Sequence, residues 1–463
     1  MNHSWILMRD WFGTDEMRKI FSEQSILNGW LSVELALAQS QFEMGLVPEE
    51  AYNAIRSNVA PDQIDIEAIA EVCKETRHVI AGFVRHMRRK CGSAGNFFHL
   101  AATTQDILET GLTLNIRPAF ESVCRDIGRL LHTLLDLAEK YQHAIMAGRT
   151  QGQIGMPITF GFKTAAWADE LGDHLERIAE MHNRLNVLSL SGALGTQAGF
   201  SSLLGNKKTQ EMTQRVGEIL NLKVPDIDPH HRVDRFAEAL NALALTCSTL
   251  GRMGLTIRDL QRTEVAEVFE PWGSGTVGSS TMTHKRNPEP SHWLEGLAKI
   301  TRANALAMMD MQMQHERDAT RTAPMLACIP ESFLAVSAAL KIALQIFKGL
   351  DIDSSRMLAN LGSENGVSLS EAVWVALFKK SGNLQISQNL VKECVHQTRE
   401  HNVSFLESLQ QNKEVIDLIS PKELIETLSP ENCIGTCIDQ IKSVVNKRRP
   451  LAKKILSNTV SQI

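Results

Sequence analysis

A chain of 463 residues, 43% hydrophobic and 22% charged, can bury a sizeable core and is too long for one ordinary domain. A formal charge of -5 and a pI near 6.3 provide no basic field for nucleic acid, and the run Lys447-Arg448-Arg449 reads as a solvated tail. No uninterrupted apolar span of about 18 residues is seen, and Met1-Asn2-His3-Ser4-Trp5 carries no leader pattern, so a cytoplasmic protein with no membrane or nucleic-acid partner is expected.

After an N-terminal helical region, apolar residues recur every three or four positions from Leu112 through Ile116, Phe120, Val123, Ile127, Leu130 and Leu134 to Leu137. That is one face of a long helix, which Pro118 should bend. Similar stripes run from Leu171 to Leu188, from Phe236 to Met253 and, after Pro290, from Leu294 to Met311. Long helices need long partners, and β-signals are weak. The expected fold class is therefore all-α, with a long central bundle over 106–350 between smaller helical domains over 1–105 and 351–463. The eight cysteines are scattered, and Cys433 and Cys437 lack zinc-knuckle spacing, so reduced thiols are expected.

Polar or glycine-marked segments punctuate the stripes at Ala101 to Asp106, Gly148 to Gln153, Gly278 to Pro288 and His315 to Arg321, where they could converge. The third gathers hydroxyls, Lys285, Arg286 and Asn287 on one loop, and Gly273, Gly275 and Gly278 let that loop open and close over a ligand. The two cations suit a carboxylate, and the Asn287 amide can donate to a developing oxyanion. The glycine spacing matches neither a Walker loop nor a dinucleotide fingerprint. A dicarboxylate or its carbanion fits best.

Gly278-Ser279-Ser280-Thr281-Met282-Thr283-His284-Lys285-Arg286-Asn287-Pro288 resembles the signature of the fumarase/aspartase superfamily, departing at Thr283, where the family has proline. Phe12-Gly13-Thr14-Asp15-Glu16-Met17, Val33 to Ala38 and Gly45-Leu46-Val47-Pro48 look like the N-terminal region of its adenylosuccinate lyase and 3-carboxy-cis,cis-muconate cycloisomerase branch. Thr103-Thr104-Gln105-Asp106, Gly148-Arg149-Thr150-Gln151-Gly152-Gln153 and His315-Glu316-Arg317-Asp318 resemble further blocks of that branch, in order.

The resemblance implies a homotetramer built around a twenty-helix bundle, with each site assembled from three subunits, a small-molecule dicarboxylate substrate and no cofactor. It also implies removal of a proton beta to the leaving group, an aci-carboxylate intermediate, and fumarate as the usual product. Carried over by position, Ser279 is the base, with Ser280 beside it; Lys285 and Asn287 bind one substrate carboxylate; Thr103, Thr104 and Gln105 contact the other; and Arg149 and Thr150 shape the second wall. A serine base needs local activation, and the alternative for Ser279 is a hydroxyl that caps the following turn.

Two departures bear on the acid. Gln151 stands where fumarate-releasing relatives have a histidine, and His292 stands where they have the glutamate that pairs with it. Glutamine can orient a substrate oxygen but delivers no proton. His292 could supply an acid from the other side, or could be a helix-start histidine with no role. His78, in Thr76-Arg77-His78, resembles a substrate-facing histidine of adenylosuccinate lyases and is the other candidate, against a buried structural role. His230-His231 lacks a third ligand at usable spacing, so no metal is expected.

The expected function is a lyase that eliminates an amine from an N-substituted aspartate-like (succinyl) substrate and releases fumarate or an analogue. Lactonisation of a carboxymuconate is the alternative, and a non-catalytic helical tetramer the second alternative. Adenylosuccinate fits poorly, because the Arg-Tyr element that relatives use for its phosphate is not visible around Trp11 to Met17.

Overall fold

The computed structural model describes residues 6–61, 64–228, 233–313 and 318–457. Short helices α1 (Asp15–Ile20), α2 (Glu23–Glu43), α3 (Glu49–Asn58), α4 (Ile66–Thr76) and α5 (Val79–Lys90) lead into the long α6 (Thr104–Lys140), which runs through Pro118. The later stripes become α7 (Phe160–Leu185), α10 (Asp234–Leu260) and α11 (Glu289–Asp310), with α8 (Ala198–Leu204) and α9 (Asn206–Leu220) between the first two. α12 (Thr322–Lys348) completes the bundle, in which α10 packs on α11, α11 on α12, and α6 on α7 and α12. The fold is mostly helical, as expected.

The stretch containing α12, Ala319–Lys348, is long and apolar enough to cross a bilayer, and the sequence reading overlooked it. It is mostly buried, with Phe333, Val336, Ala339 and Ala343 inside the bundle. α6 and α7 are joined by a hairpin of β1 (Ile145–Thr150) and β2 (Gln153–Thr159), paired from Ile145 with Thr159 to Thr150 with Gln153. Gln151 (φ +54°) and Gly152 (φ +79°) form its two-residue turn, the twist that suits adjoining antiparallel strands.

Helices α13 (Ser354–Leu361), α14 (Ser370–Ser381), α15 (Leu384–His401), α16 (Phe405–Gln411), α17 (Lys413–Leu418) and α18 (Pro421–Thr427) follow. Val373, Leu390, Phe405 and Leu424 belong to a small core of their own. The last helix, α19 (Cys437–Ser457), returns to α6 and α7 and adds Ile441, Val445, Ala452 and Ile455 to the main core.

That return corrects the reading of Lys447-Arg448-Arg449 as a solvated tail. The Arg448 side chain is 0% exposed and bonds Asp169 and Glu176 at 2.6 Å, and also Asp173. Arg449 reaches Asp136 at 2.8 Å and Glu139 at 2.6 Å. The basic run neutralises an acidic stripe on the two long helices. All eight cysteines are free thiols.

Candidate active site

At the N-terminal end of α6, Thr103 precedes the helix, Thr104 opens it and the Gln105 amide donates to Glu109 at 3.1 Å. Asp106 organises this end. Its buried carboxylate accepts the backbone N–H of Thr103 at 2.9 Å, Ser191 at 2.9 Å and Gly192 at 3.1 Å, tying the helix start to the Ser189–Gly199 segment. Burial pushes Asp106 up to about 7; the N–H groups of Ser191 and Thr103 pull the other way, and Asp228 adds to the rise. Asp228 itself holds that segment, accepting from Ser189 Oγ at 2.9 Å and Leu190 N–H at 2.6 Å. Behind them, buried Glu109 pairs with Arg235 at 2.9 Å and Arg321 at 3.1 Å.

His78 caps α5, its Nδ1 accepting the Ala81 N–H at 3.3 Å. With Nδ1 committed as acceptor, the neutral ring carries its proton on Nε2. The side chain is exposed, so the buried alternative does not hold. Its neighbour Val79 lines a cavity with Trp30, Leu326 and Leu334.

Arg149 lies at the other end of α6. Its guanidinium grips buried Glu267 in a bidentate pair, at 2.9 and 2.5 Å, and Asn360 donates to the same carboxylate at 2.8 Å. This pair anchors the hairpin whose tip carries exposed Thr150 and Gln151.

The signature loop follows α10 at this same end. Ser279 Oγ accepts the N–H groups of Met282 at 3.0 Å and Thr281 at 3.3 Å, the turn-capping position foreseen as its alternative role. Ser280 and Lys285 are exposed. The Asn287 amide closes the neck of the loop on the Gly278 carbonyl at 2.5 Å, and Gln261 holds the Arg286 carbonyl at 3.0 Å. The Arg286 guanidinium stacks 5.0 Å from the Trp272 ring centre. Glu270 then fixes the start of α11, accepting Ser291 N–H at 2.8 Å and Ser291 Oγ at 2.5 Å. His292, on the first turn of α11, shares a cleft with Lys285 and Asn287.

Within one chain the expected residues thus form two groups. Thr103, Thr104 and Gln105 lie at the start of α6, and Arg149, Thr150, Gln151, Ser279, Ser280, Lys285, Asn287 and His292 lie toward its far end, while His78 stands apart at the start of α5. The 37 residues of α6 span about 55 Å, and most of that length separates the groups. The segments therefore do not converge in one chain. His230, His231 and His315 to Arg317 lie outside the described residues, and no His/Cys/Asp/Glu cluster able to hold a metal occurs among the described ones.

A family profile described as Lyase matches residues 12–300. The chain belongs to this lyase family. It is an enzyme of the fumarase/aspartase superfamily. It is 36% identical over 445 residues to an N-acetyl-S-(2-succino)cysteine lyase of Dickeya dadantii, covering 95% of this chain and 96% of that protein. An adenylosuccinate lyase of Pyrococcus horikoshii is 35% identical, covering 94% and 96%, and a 3-carboxy-cis,cis-muconate cycloisomerase of Pseudomonas aeruginosa is 34% identical, covering 84% and 86%. Among solved structures, the 3-carboxy-cis,cis-muconate lactonizing enzyme of Pseudomonas putida superposes with a TM-score of 0.87 at 30% identity, covering 96% of this chain and 99% of that one. A fumarate lyase of Mesorhizobium sp. BNC1 gives 0.86 at 29%, covering 94% and 99%.

The sequence reading assigned this lyase no role for Asp106, Glu267 or the Ser189–Gly199 segment. Asp106 was quoted only as part of a motif, and Glu267 follows a helix end with no local pattern. The available signal was the glycine pair Gly192 and Gly195, both at positive φ and flanked by small polar residues.

Proposed function

We propose that this enzyme eliminates a group carried through nitrogen or sulfur on C2 of a succinyl unit, releasing fumarate, and that sulfur is the favoured linkage. The observation that carries the choice is Gln151 at the hairpin tip, with His292 on α11, where fumarate-releasing relatives have a histidine and its glutamate. An amine must be protonated as it leaves. A thiol, with an ordinary pKa of about 8.5, departs as a stable thiolate and needs no acid. A sulfur-linked succinyl substrate is also in the printed name of the Dickeya relative.

In this mechanism Ser279 takes the C3 proton, and Lys285 and Asn287 stabilise the aci-carboxylate that gathers charge. The C2–S bond then breaks, its electron pair leaves with the thiolate, and the C2–C3 double bond of fumarate forms. Thr103, Thr104 and Gln105 hold the second carboxylate. The separation of the two groups along α6 supports a site assembled from more than one chain. Exposed Leu245 and Leu255 on α10 and Leu306 and Met309 on α11 give antiparallel copies an apolar face to bury, which supports the homotetramer. An N-linked substrate is the second reading, favoured by exposed His78, whose imidazole in its cationic form could protonate a departing amine.

The test is to incubate the purified protein with N-acetyl-S-(2-succino)cysteine, an N-succinyl amino acid and 3-carboxy-cis,cis-muconate in separate tubes, following products by mass spectrometry. Fumarate from the thioether alone supports the sulfur reading, fumarate from the amine alone restores the nitrogen one, and lactone without fumarate replaces both with cycloisomerisation. Ser279→Ala should lower the productive reaction by at least about 100-fold with the oligomer intact.

A further inference from the structure

A cleft of about 780 Å³ opens along the first three turns of α11. Lys285, Asn287 and His292 line it near the helix start, and Phe12, Trp293 and Leu297 form its apolar wall. The wall is built from two distant parts of the chain. The N-terminal segment lays Trp11 on Trp293 with ring centres 4.8 Å apart, and Phe12 meets the same indole edge to face at 5.4 Å. At Gly296, one turn further, a side chain would meet nothing within 4 Å, so the helix surface is open there.

We infer that this cleft is the leaving-group subsite and that it favours an aromatic or apolar body over a phosphorylated one. The inference rests on the proposed elimination, with Lys285 and Asn287 on the succinyl carboxylate. From Glu289 to Ile300, both on the cleft, α11 extends about 16 Å, several times the length of a succinyl unit. Substrate anchored at Lys285 therefore has a long wall beside the group it loses, and aromatic faces at that wall favour a flat or apolar body.

Charge argues the same way. Glu289 also lines the cleft, so a phosphate would meet a negative charge. The nearby Arg286 does not line it, being turned onto the rings of Trp272 and Phe269.

Two thioethers made from fumarate test this: (benzylthio)succinate and its 2-(phosphonooxy)ethylthio counterpart, with fumarate release as the readout. Benzylsuccinate, whose carbon link cannot be eliminated, reports binding independently by calorimetry. The benzyl thioether should exceed the phosphorylated one at least tenfold in kcat/KM. Trp293→Ala should raise the KM for the benzyl compound and the Kd for benzylsuccinate about tenfold, Trp293→Phe should restore most of both, and the phosphorylated substrate should move less than twofold.

Fumarate release without preference between the thioethers would overturn the subsite and leave the elimination standing. Trp293-dependent binding of benzylsuccinate with no fumarate from any adduct would keep the aromatic site and remove the elimination. If Trp293→Ala and Trp293→Phe both dissociate the oligomer, the wall is a contact between copies and the inference falls.

Discussion

Arg448 lies against Gly172 so closely that a β-carbon on that glycine would stand 2.5 Å from both its Cδ and its Nε. The missing side chain on α7 is what lets the guanidinium reach Asp169, Asp173 and Glu176 together. Gly172→Ala should therefore push Arg448 out of its cradle and cost about 1–3 kcal/mol by overpacking. Arg448→Met should cost a similar amount despite keeping much of the volume, because the three carboxylates then face one another with water as their main relief. Urea unfolding of both variants checks this, and a loss below about 0.5 kcal/mol in each would mean α19 is held by its apolar face alone.

This clamp also shows where legibility ended. The stripe from Leu112 to Leu137 could be read because a helix repeats every 3.6 residues, and those residues do line the buried face of α6. Asp169, Asp173 and Glu176 share a face of α7 by the same rule, but nothing local tells that face that a basic run some 270 residues later will cover it. The hairpin tip was hidden for another reason. Its strands are short and carry little alternation, and only the turn pair Gln151-Gly152 marked it. In the candidate site the loop could be singled out from its residue types, whereas Arg149 with Glu267, 118 positions apart, became visible only in three dimensions.

Gly278 is required by contact, since a β-carbon there would collide with the Lys285 carbonyl oxygen and come within 2.6 Å of Trp272. Gly278→Ala should spread the neck that Asn287 closes and displace Lys285. Expected is a fall in kcat/KM of about 100-fold, the usual scale for misplacing a group next to the chemistry. The loop is largely exposed, so the melting temperature should stay within about 2 °C. Kinetics paired with calorimetry separates this outcome from general unfolding.

Asp106 should give the protein a pH dependence of definite sign. Burial raises its carboxyl from an ordinary 3.8 to about 7, so between these values the folded chain keeps a proton that the unfolded chain releases. Its contribution to stability is full below about pH 4, declines as the pH rises, and is exhausted above about 7. Asp106→Asn should flatten this slope between pH 5 and 7, by an amount on the order of a few kcal/mol. Denaturant unfolding of both proteins at matched pH, within the range where each refolds, is the measurement. Identical slopes would place the proton elsewhere, on a group such as His99, whose pKa is also raised.

The choice between leaving groups can be tested by rebuilding the lost pair. Gln151 occupies φ +54°, a conformation that histidine tolerates better than most residues, so Gln151→His fits the turn without remodelling the hairpin. Combined with His292→Glu it supplies an acid and its partner to a site whose other residues are unchanged. Loss of a thiolate has little use for that acid, so the rate for N-acetyl-S-(2-succino)cysteine should change less than about threefold. Loss of an amine depends on it, and the rate for an N-succinyl amino acid should rise about 100-fold or more, the usual worth of general acid catalysis. Each substrate is its own control against misfolding, because a damaged site slows both. Acceleration of the thioether by the same factor would show that its departure also waits on a proton, and the sulfur preference drawn from Gln151 would then have no chemical basis.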